Sequence, residues 1–187
     1  MKTFLTFLLL SLGLLGNAED GPLVLAGTWK AKLIHPKPSA PSLDKAWNDD
    51  GITPEALATV AIAFDDGAWQ AVPVPMNWES YGGDWANADG EAVFRLAIDV
   101  PERMVGKDLE LRLGAIDDFD DTYVNGEAVG RTDKNVLGYW ALQRVYKVPA
   151  RLVHSGRNVI AVRVFDHFGG GGFTGPKEQL LLSAAAQ

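Results

Sequence analysis

Short segments in which apolar and polar residues alternate, separated by turn-forming residues, dominate the chain from residue 92 onwards. Alternation with a period of two is typical of strands that bury one face. The turn signals recur at intervals of roughly 8–12 residues, as they do in sandwiches and jelly rolls. We therefore predict an all-β sandwich or jelly roll, with strands at residues 92–100, 108–113, 145–148, 158–166 and 180–182.

Asparagine, glycine and proline indicate where some of these strands turn or lie at an edge. The dipeptide Asn125-Gly126 follows a strand-forming pair and is well suited to a type I′ hairpin turn. Pro73 and Pro75 cannot donate to a strand ladder, so we predict that they belong to an extended segment at the edge of a sheet.

The first half of the chain adds one more strand region and one helix. Residues 23–34 have strand character. Thr53-Pro54 predicts a helix start, because threonine caps helix N-termini and proline fits the first turn. We predict one short helix over residues 54–63, although the β-branched residues in its second half also suit a strand.

Residues 1–18 have the composition of a signal peptide. Lys2 supplies a positive charge, an apolar run extends to Leu15, and Ala18 closes a cleavage pattern of small residues. The run is too short to span the roughly 30 Å hydrocarbon core of a bilayer. We expect a secreted or periplasmic protein, with no membrane attachment after cleavage and one mature domain over residues 19–187.

The composition of the chain narrows its classes of function. The absence of cysteine excludes disulfides, thiolate metal sites and cysteine nucleophiles. The formal net charge of −7 at pH 7 argues against nucleic acid as a partner. The three histidines lack the i, i+4 spacing of zinc motifs. The six tryptophans suit either core packing or stacking on sugar rings.

A set of motifs occurs in a distinctive order after residue 64: DDGAW at 65–69, GEAVFR at 90–95, LGAIDD at 113–118, NG at 125–126, GRNVIAVRVFD at 156–166 and GGGGFTG at 169–175. Together they resemble the jelly-roll sugar-binding domains of family 2 glycoside hydrolases. The last two motifs are most similar to the accessory domain of bacterial sialate O-acetylesterases. The resemblance implies a jelly-roll β-sandwich of the galactose-binding-domain-like type.

The resemblance also implies carbohydrate binding, or support of a separately encoded carbohydrate-active enzyme, without catalysis. Those esterases hold their catalytic serine in another domain, and no serine after residue 18 lies in a Gly-x-Ser-x-Gly elbow. The catalytic barrel of the glycosidases, with its two glutamates, has no counterpart here. One alternative is a protein-interaction module that docks on a separate esterase or glycosidase. Another is a partial hydrolase, connected to carbohydrate chemistry only by its relatives.

Four aspartates crowd the entry to the strand before the Asn-Gly turn: Asp117, Asp118, Asp120 and Asp121. On an unbroken strand, Asp118 and Asp120 would share one face. A solvated strand end would pair such carboxylates with arginine, the candidates being Arg95, Arg144 and Arg163. Alternatively they bind sugar hydroxyls, or a structural calcium ion that takes six to eight oxygens. Glycoside hydrolysis by paired carboxylates is disfavoured, because it normally needs a deep cleft in a larger scaffold.

We predict a ligand-binding site where the aspartate-rich strand, the segment around residues 140–144 and the loop after residue 166 meet. These stretches hold carboxylates, a guanidinium, an indole and a glycine-rich backbone, which together suit a sugar. The predicted ligand-binding residues are Asp117, Asp118, Asp120, Asn125, Trp140, Arg144, Asp166 and His167. No catalytic residue or cofactor is predicted, and calcium is left open. The glycines at 169–172 form either a flexible loop or a backbone surface that covers a ligand or docks on a catalytic domain.

Overall fold

The structure, a computed structural model, describes residues 21–37 and 51–185, so the predicted signal peptide lies outside it. Its strands are β1 (Leu23–Val24), β2 (Gly27–Lys37), β3 (Gln70–Val74), β4 (Met76–Asn77), β5 (Asp89–Val100), β6 (Leu109–Asp117), β7 (Phe119–Val124), β8 (Glu127–Thr132), β9 (Gln143–Val148), β10 (Gly156–Asp166), β11 (Gly172–Phe173) and β12 (Leu180–Ala184). Its helices are α1 (Pro54–Leu57) and 3₁₀ turns at Trp78–Tyr81, Gly83–Trp85, Glu102–Met104, Ala150–Leu152 and Lys177–Gln179. Among these described elements, no helix is long and apolar enough to cross a membrane.

Two antiparallel sheets pack face to face. The first has the strand order β1-β12-β6-β11-β4, and β9 also pairs with β6. The second has the order β3-β2-β5-β10-β7-β8. Its central strands β5 and β10 pair along the whole length of β10, from Val100 opposite Gly156 to Gly90 opposite Asp166. The predicted all-β sandwich is confirmed, and the described residues contain the one short α-helix that was predicted.

Apolar side chains from both sheets fill the space between them. Phe94 of β5 and Phe173 of β11 have ring centroids 5.2 Å apart, and the ring of Trp29 on β2 lies 5.4 Å from that of Phe173. Burying one large apolar side chain is worth about 1.5–3 kcal/mol. Because the chain has no cysteine to form disulfides, packing of this kind must supply most of its stability.

The α-helix starts where the sequence predicts but is shorter than predicted. The Thr53 hydroxyl accepts a hydrogen bond from the backbone N–H of Ala56 at 3.2 Å, as an N-cap does. The helix ends at Leu57, so the predicted extent of 54–63 is wrong. The carbonyl of Thr59 accepts from the buried guanidinium of Arg95 instead of continuing the helical pattern. Tertiary contacts therefore override local propensity.

The turn and edge predictions are confirmed. Strands β7 and β8 form a hairpin across Asn125 (φ 52°) and Gly126 (φ 90°), and a type I′ turn needs positive φ at both positions. Pro73 lies in β3, at the edge of the second sheet, and Pro75 precedes β4, at the edge of the first. Neither proline interrupts a central strand.

Candidate functional site

The chain passes from one sheet to the other at Asp118. Strand β6 ends at Asp117 in the first sheet, and β7 begins at Phe119 in the second. The backbone N–H of Asp118 donates to the carbonyl of Phe165 at 3.2 Å, which ties the crossing to the end of β10. The end of β6, the start of β7 and the end of β10 therefore meet at one place, and Asp166 closes β10 there.

Three carboxylates converge at this crossing. Asp117, Asp118 and Asp166, hereafter the acidic cluster, each offer an oxygen within 4.8 Å of the other two. Asp166 is 0 % exposed and Asp118 is 4 % exposed, whereas Asp117 is half-buried. Carboxylates this close repel one another unless protons or cations intervene. The predicted convergence of the aspartate-rich strand with the segment after β10 is thus present in the fold.

Hydrogen bonds satisfy only part of the acidic cluster. Asp118 Oδ2 accepts from the backbone N–H of His167 at 3.1 Å and also contacts the His167 ring at Nδ1. Asp166 Oδ1 accepts from the backbone N–H of Phe168 at 3.1 Å. Asp166 Oδ2 is buried and accepts no hydrogen bond from the residues that the structure describes. The same holds for one carboxylate oxygen of each of two neighbours, Glu79 Oε2 and Asp89 Oδ2.

The electrostatic consequence is a strong preference for protonated carboxyls. Burial, followed by the hydrogen bond and negative charge of Asp118, raises the pKa of Asp117 to about 8. Burial and the charge of Asp118 likewise raise the pKa of Asp166 to about 9. The charge of Glu79 contributes to the first shift and that of Asp89 to the second. Neither neighbour was predicted, because each reaches the cluster only through tertiary folding.

Asp120 and Arg144 form a buried ion pair beside the acidic cluster. Arg144 Nε donates to Asp120 Oδ1 at 2.9 Å, and both side chains are fully buried. The other oxygen of Asp120 accepts from the Thr122 hydroxyl at 2.7 Å. The Tyr146 hydroxyl also lies 3.0 Å from both carboxylate oxygens. These two predicted site residues therefore make their contacts within the fold.

The prediction of arginine partners is right for two of the three candidates. Arg144 pairs with Asp120, and Arg163 Nη1 lies 3.4 Å from Asp121 Oδ2. Arg95 instead pairs with Asp66, at 2.7 Å. The expected solvated strand end is wrong, because β7 lies between β10 and β8 and is buried along its whole length. The chain changes sheet at residue 118, so Asp118 and Asp120 do not lie on one unbroken strand.

An aromatic rim borders the acidic cluster. The Phe119 ring stacks on the His167 ring with centroids 5.8 Å apart, and Tyr139 lies 4.6 Å from Phe119. Tyr139 in turn makes an edge contact of 5.0 Å with Trp140. The indole of Trp140 is 51 % exposed and the ring of Phe168 is 50 % exposed. By contrast, the other loop tryptophans, Trp78 and Trp85, are buried in the core.

Asn125 is far from the acidic cluster, at the opposite end of β7. Its amide donates to the Leu152 carbonyl at 2.7 Å and to Asn158 Oδ1 at 2.8 Å, and its own oxygen accepts from the Val159 backbone N–H. The side chain is therefore engaged in holding the hairpin turn against β10. Of the predicted site residues, it alone lies at that end of the strand.

The glycine run packs closely on the chain itself. A Cβ at Gly171 would lie 2.3 Å from Trp78 Cε2, which leaves no room for a larger residue. The Gly171 N–H donates to Glu79 Oε1 at 3.0 Å, and its carbonyl accepts from the Trp78 N–H at 3.0 Å. The close approach of the Gly171 backbone to Trp78 thus places Glu79 near the acidic cluster.

Two surface clefts lie at the other end of β6. One, of about 340 Å³, is lined by residues including Arg103 and Ser183. The second, of about 640 Å³, contains Asp108 and Lys147, whose Oδ2 and Nζ are 2.7 Å apart. Neither cleft brings together the carboxylates and aromatic rings found at the sheet crossing.

The chain resembles segments of much larger solved enzymes. It matches a β-glucuronidase of Bacteroides uniformis with a TM-score of 0.61 and 18 % identity, over 88 % of this chain and 18 % of that one. It matches a β-glycosidase of Bacteroides vulgatus with a TM-score of 0.59 and 18 % identity, over 87 % and 20 %. A glycosyl hydrolase family 2 member of Bacteroides cellulosilyticus gives 0.58 and 17 %, over 81 % and 19 %.

No protein-family model matches the chain, and neither does any curated protein. Identities this low show the fold and leave activity open. The predicted likeness to family 2 glycoside hydrolases is therefore supported at the level of fold, whereas the finer likeness to sialate O-acetylesterases stays a prediction. The chain has the β-sandwich fold of a segment that makes up about a fifth of these enzymes.

Proposed function

We propose that the chain is a non-catalytic carbohydrate-binding module related to family 2 glycoside hydrolases. The observation that carries the proposal is the exposed indole of Trp140 at the rim of a polar site. A sugar ring has an apolar face that stacks on aromatic planes and an edge of hydroxyls that need hydrogen-bond partners. The sheet crossing offers both kinds of surface within one short stretch.

Access to solvent decides which predicted residues contact the sugar. Trp140 supplies the stacking face, and the half-buried Asp117 and His167 supply polar atoms. Asp118 and Asp166 lie behind them and are buried, so they hold the rim in place. The same burial argues against glycoside hydrolysis by this cluster, since a substrate bond cannot reach two carboxyls that solvent does not reach.

A second function is favoured by exposed apolar side chains on two segments near the site. Large apolar side chains are exposed on the segment between β8 and β9 and on the loop after β10: Leu137, Trp140, Leu142 and Phe168. Exposed apolar residues that group together often mark protein interfaces. Docking on a separately encoded carbohydrate-active enzyme is therefore the alternative to direct sugar binding.

Trp140→Ala tests the carbohydrate proposal. Loss of a stacking ring should weaken binding to glycans found on an array by about 10–100-fold in isothermal titration calorimetry, as when an anchoring aromatic is truncated. Leu137→Ala is the matched control, because Leu137 is 97 % exposed in the same segment but has no ring. Wild-type protein that binds no glycan, yet co-purifies with an esterase or glycosidase, would favour docking.

The absence of catalysis and the export of the chain are part of the same proposal. The sequence lacks a nucleophile elbow, so purified protein should not hydrolyse aryl acetates or aryl glycosides above background. The signal-peptide pattern before residue 19 supports secretion or delivery to the periplasm. Mass spectrometry of the located protein should show an N-terminus near Glu19, and an intact Met1 would exclude cleavage.

A further inference from the structure

Among the described residues, one basic side chain contacts the three carboxyl groups of the acidic cluster: the ring of His167 lies against Asp118. Within the described residues, no lysine or arginine side chain donates to the carboxylates of Asp117, Asp118 or Asp166. The nearest guanidinium, that of Arg144, is directed elsewhere, because its donors go to Asp120 and to the backbone carbonyls of Tyr139, Leu142 and Asp118. A buried charge normally has a partner or binds a metal.

Unpartnered oxygens point to the same place. Asp166 Oδ2 is fully buried and accepts no hydrogen bond from any described residue, although its carboxylate lies against those of Asp117 and Asp118. Within the same part of the chain, Glu79 Oε2 and Asp89 Oδ2 are also buried without a hydrogen-bond partner. Buried acceptors left unsatisfied are costly, and an arrangement of several together indicates a missing positive ligand.

We propose that Asp117, Asp118 and Asp166 bind one divalent cation, and that calcium is the ion that fits them best. Carboxylate oxygens are the ligands that hard divalent cations prefer. Two further carboxylates lie beside the cluster. Asp89 precedes Gly90, which pairs with Asp166. Glu79 accepts a hydrogen bond from Gly171, whose neighbour Gly172 pairs with Asp117. These extra oxygens are in keeping with the larger ligand number of calcium. Arg144 stabilises the neighbouring Asp120 and so keeps that carboxylate out of the site.

The number of oxygens near the site favours calcium over magnesium. Calcium takes six to eight oxygen ligands in a flexible geometry, whereas magnesium demands a near-octahedral set and usually keeps several waters. Each carboxylate of the acidic cluster offers an oxygen within 4.8 Å of the other two, and Glu79 and Asp89 each add a buried oxygen that accepts no hydrogen bond from the described residues. This supply of oxygens suits the larger ligand number of calcium.

The cation site goes beyond the proposed function, because binding of the metal alone does not require a sugar. The test uses full mature protein stripped with a chelator and titrated with CaCl₂ or MgCl₂ in isothermal titration calorimetry. We expect calcium to bind at one site and to raise the melting temperature. Asp166→Asn should raise the Kd for calcium by on the order of 10–100-fold or more, since even outer-shell changes have effects of that size.

Two further variants keep the test decisive. Asp117→Asn changes a half-buried ligand that the fold tolerates more readily, and it should weaken calcium binding in the same way. Asp99→Asn removes an exposed carboxylate of β5 and should leave calcium binding unchanged. Wild-type protein that binds neither ion at millimolar concentration would overturn the proposal. Calcium affinity equal to wild type in Asp166→Asn and Asp117→Asn would overturn it as well, and tighter binding of magnesium would overturn the preference for calcium.

Discussion

Strand β10 borders two groups of buried carboxylates that differ in how their charge is balanced. In the first, hereafter the arginine network, Arg163 lies 3.0 Å from Glu91 and 3.4 Å from Asp121, while Arg131 lies 2.9 Å from Asp121. In the second, the acidic cluster, Asp166 at the end of the same strand has no arginine or lysine partner among the described residues. The two groups share a strand and a degree of burial, but among the described residues arginine pairs with the carboxylates of only the first.

This difference separates the structural role of the arginine network from the binding role that we propose for the acidic cluster. Glu91 also accepts hydrogen bonds from the hydroxyl and backbone N–H of Thr53, so the arginine network joins the start of α1 to the second sheet. Its carboxylates and guanidinium groups pair with one another inside the fold. The acidic cluster has acceptors left over, and unused buried acceptors are where a ligand gains most.

Removal of Arg163 is expected to have the largest effect. Arg163→Met keeps an unbranched side chain but leaves Glu91 and Asp121 short of a buried cation. Breaking a buried pair from one side costs about 3–5 kcal/mol, so urea denaturation should show a free energy of unfolding lower by that amount. Arg157→Met, at an exposed position of the same strand, is the control. A loss under about 1 kcal/mol at Arg163 would show that the arginine network is not structural.

The pH dependence of stability should report the acidic cluster. Because the pKa of Asp117 is raised to about 8 and that of Asp166 to about 9, the folded protein keeps protons that the unfolded chain releases near pH 4. Stability is therefore greatest below the unfolded pKa and falls as pH rises through the folded values. In the presence of a chelator, we expect the free energy of unfolding to fall by on the order of 1–3 kcal/mol between about pH 5 and about pH 9.

Other charged groups face these two carboxyls and set the control for the pH experiment. Asp118 and the flanking acids repel them, whereas Arg144 opposes the shift of Asp117. The double variant Asp117→Asn, Asp166→Asn should flatten the pH dependence, since neither position can then titrate. A wild-type profile that rises with pH would contradict the assignment of unbalanced charge to this region.

Truncation of Trp140 is expected to have the smallest effect on stability. Its indole is 51 % exposed and has one described ring contact, with Tyr139. Trp140→Ala should therefore change the free energy of unfolding by no more than about 0.5 kcal/mol, as is usual at the surface. A melting-temperature loss comparable to that of Arg163→Met would make the aromatic rim structural and remove the contrast between the two regions.

Local signals predicted those parts of the fold that depend on neighbouring residues. The Asn125-Gly126 turn, the N-cap at Thr53 and the edge position of Pro73 each follow from backbone preferences, and all three are present. The predicted length of the helix was wrong. Just beyond the end of the helix, the Thr59 carbonyl accepts a hydrogen bond from Arg95, which lies on β5. Sequence alone does not show which distant side chain will take a backbone carbonyl.

The candidate site shows the same division. The sequence predicted that Asp118, Asp166 and His167 lie at one place. The prediction rested on motifs that occur in the same order as in the family 2 domains, and on the convergence of strand ends in a sandwich. The sequence did not distinguish Asp120, which pairs with Arg144 inside the fold, from Asp166, one oxygen of which has no partner among the described residues. It also missed Glu79, whose approach depends on the absence of a side chain at Gly171. Pairing of buried charges is a tertiary property, and no spacing in the sequence encodes it.

The crossing at Asp118 has a mechanical consequence. Asp117 ends a strand of one sheet and Asp166 ends a strand of the other, and a single residue joins the first of these to β7. Sliding of the two sheets past each other at this end would therefore pull the acidic cluster apart. A cation held by both sheets would act there as a cross-link, slowing their separation and lengthening the lifetime of the folded chain in the presence of proteases.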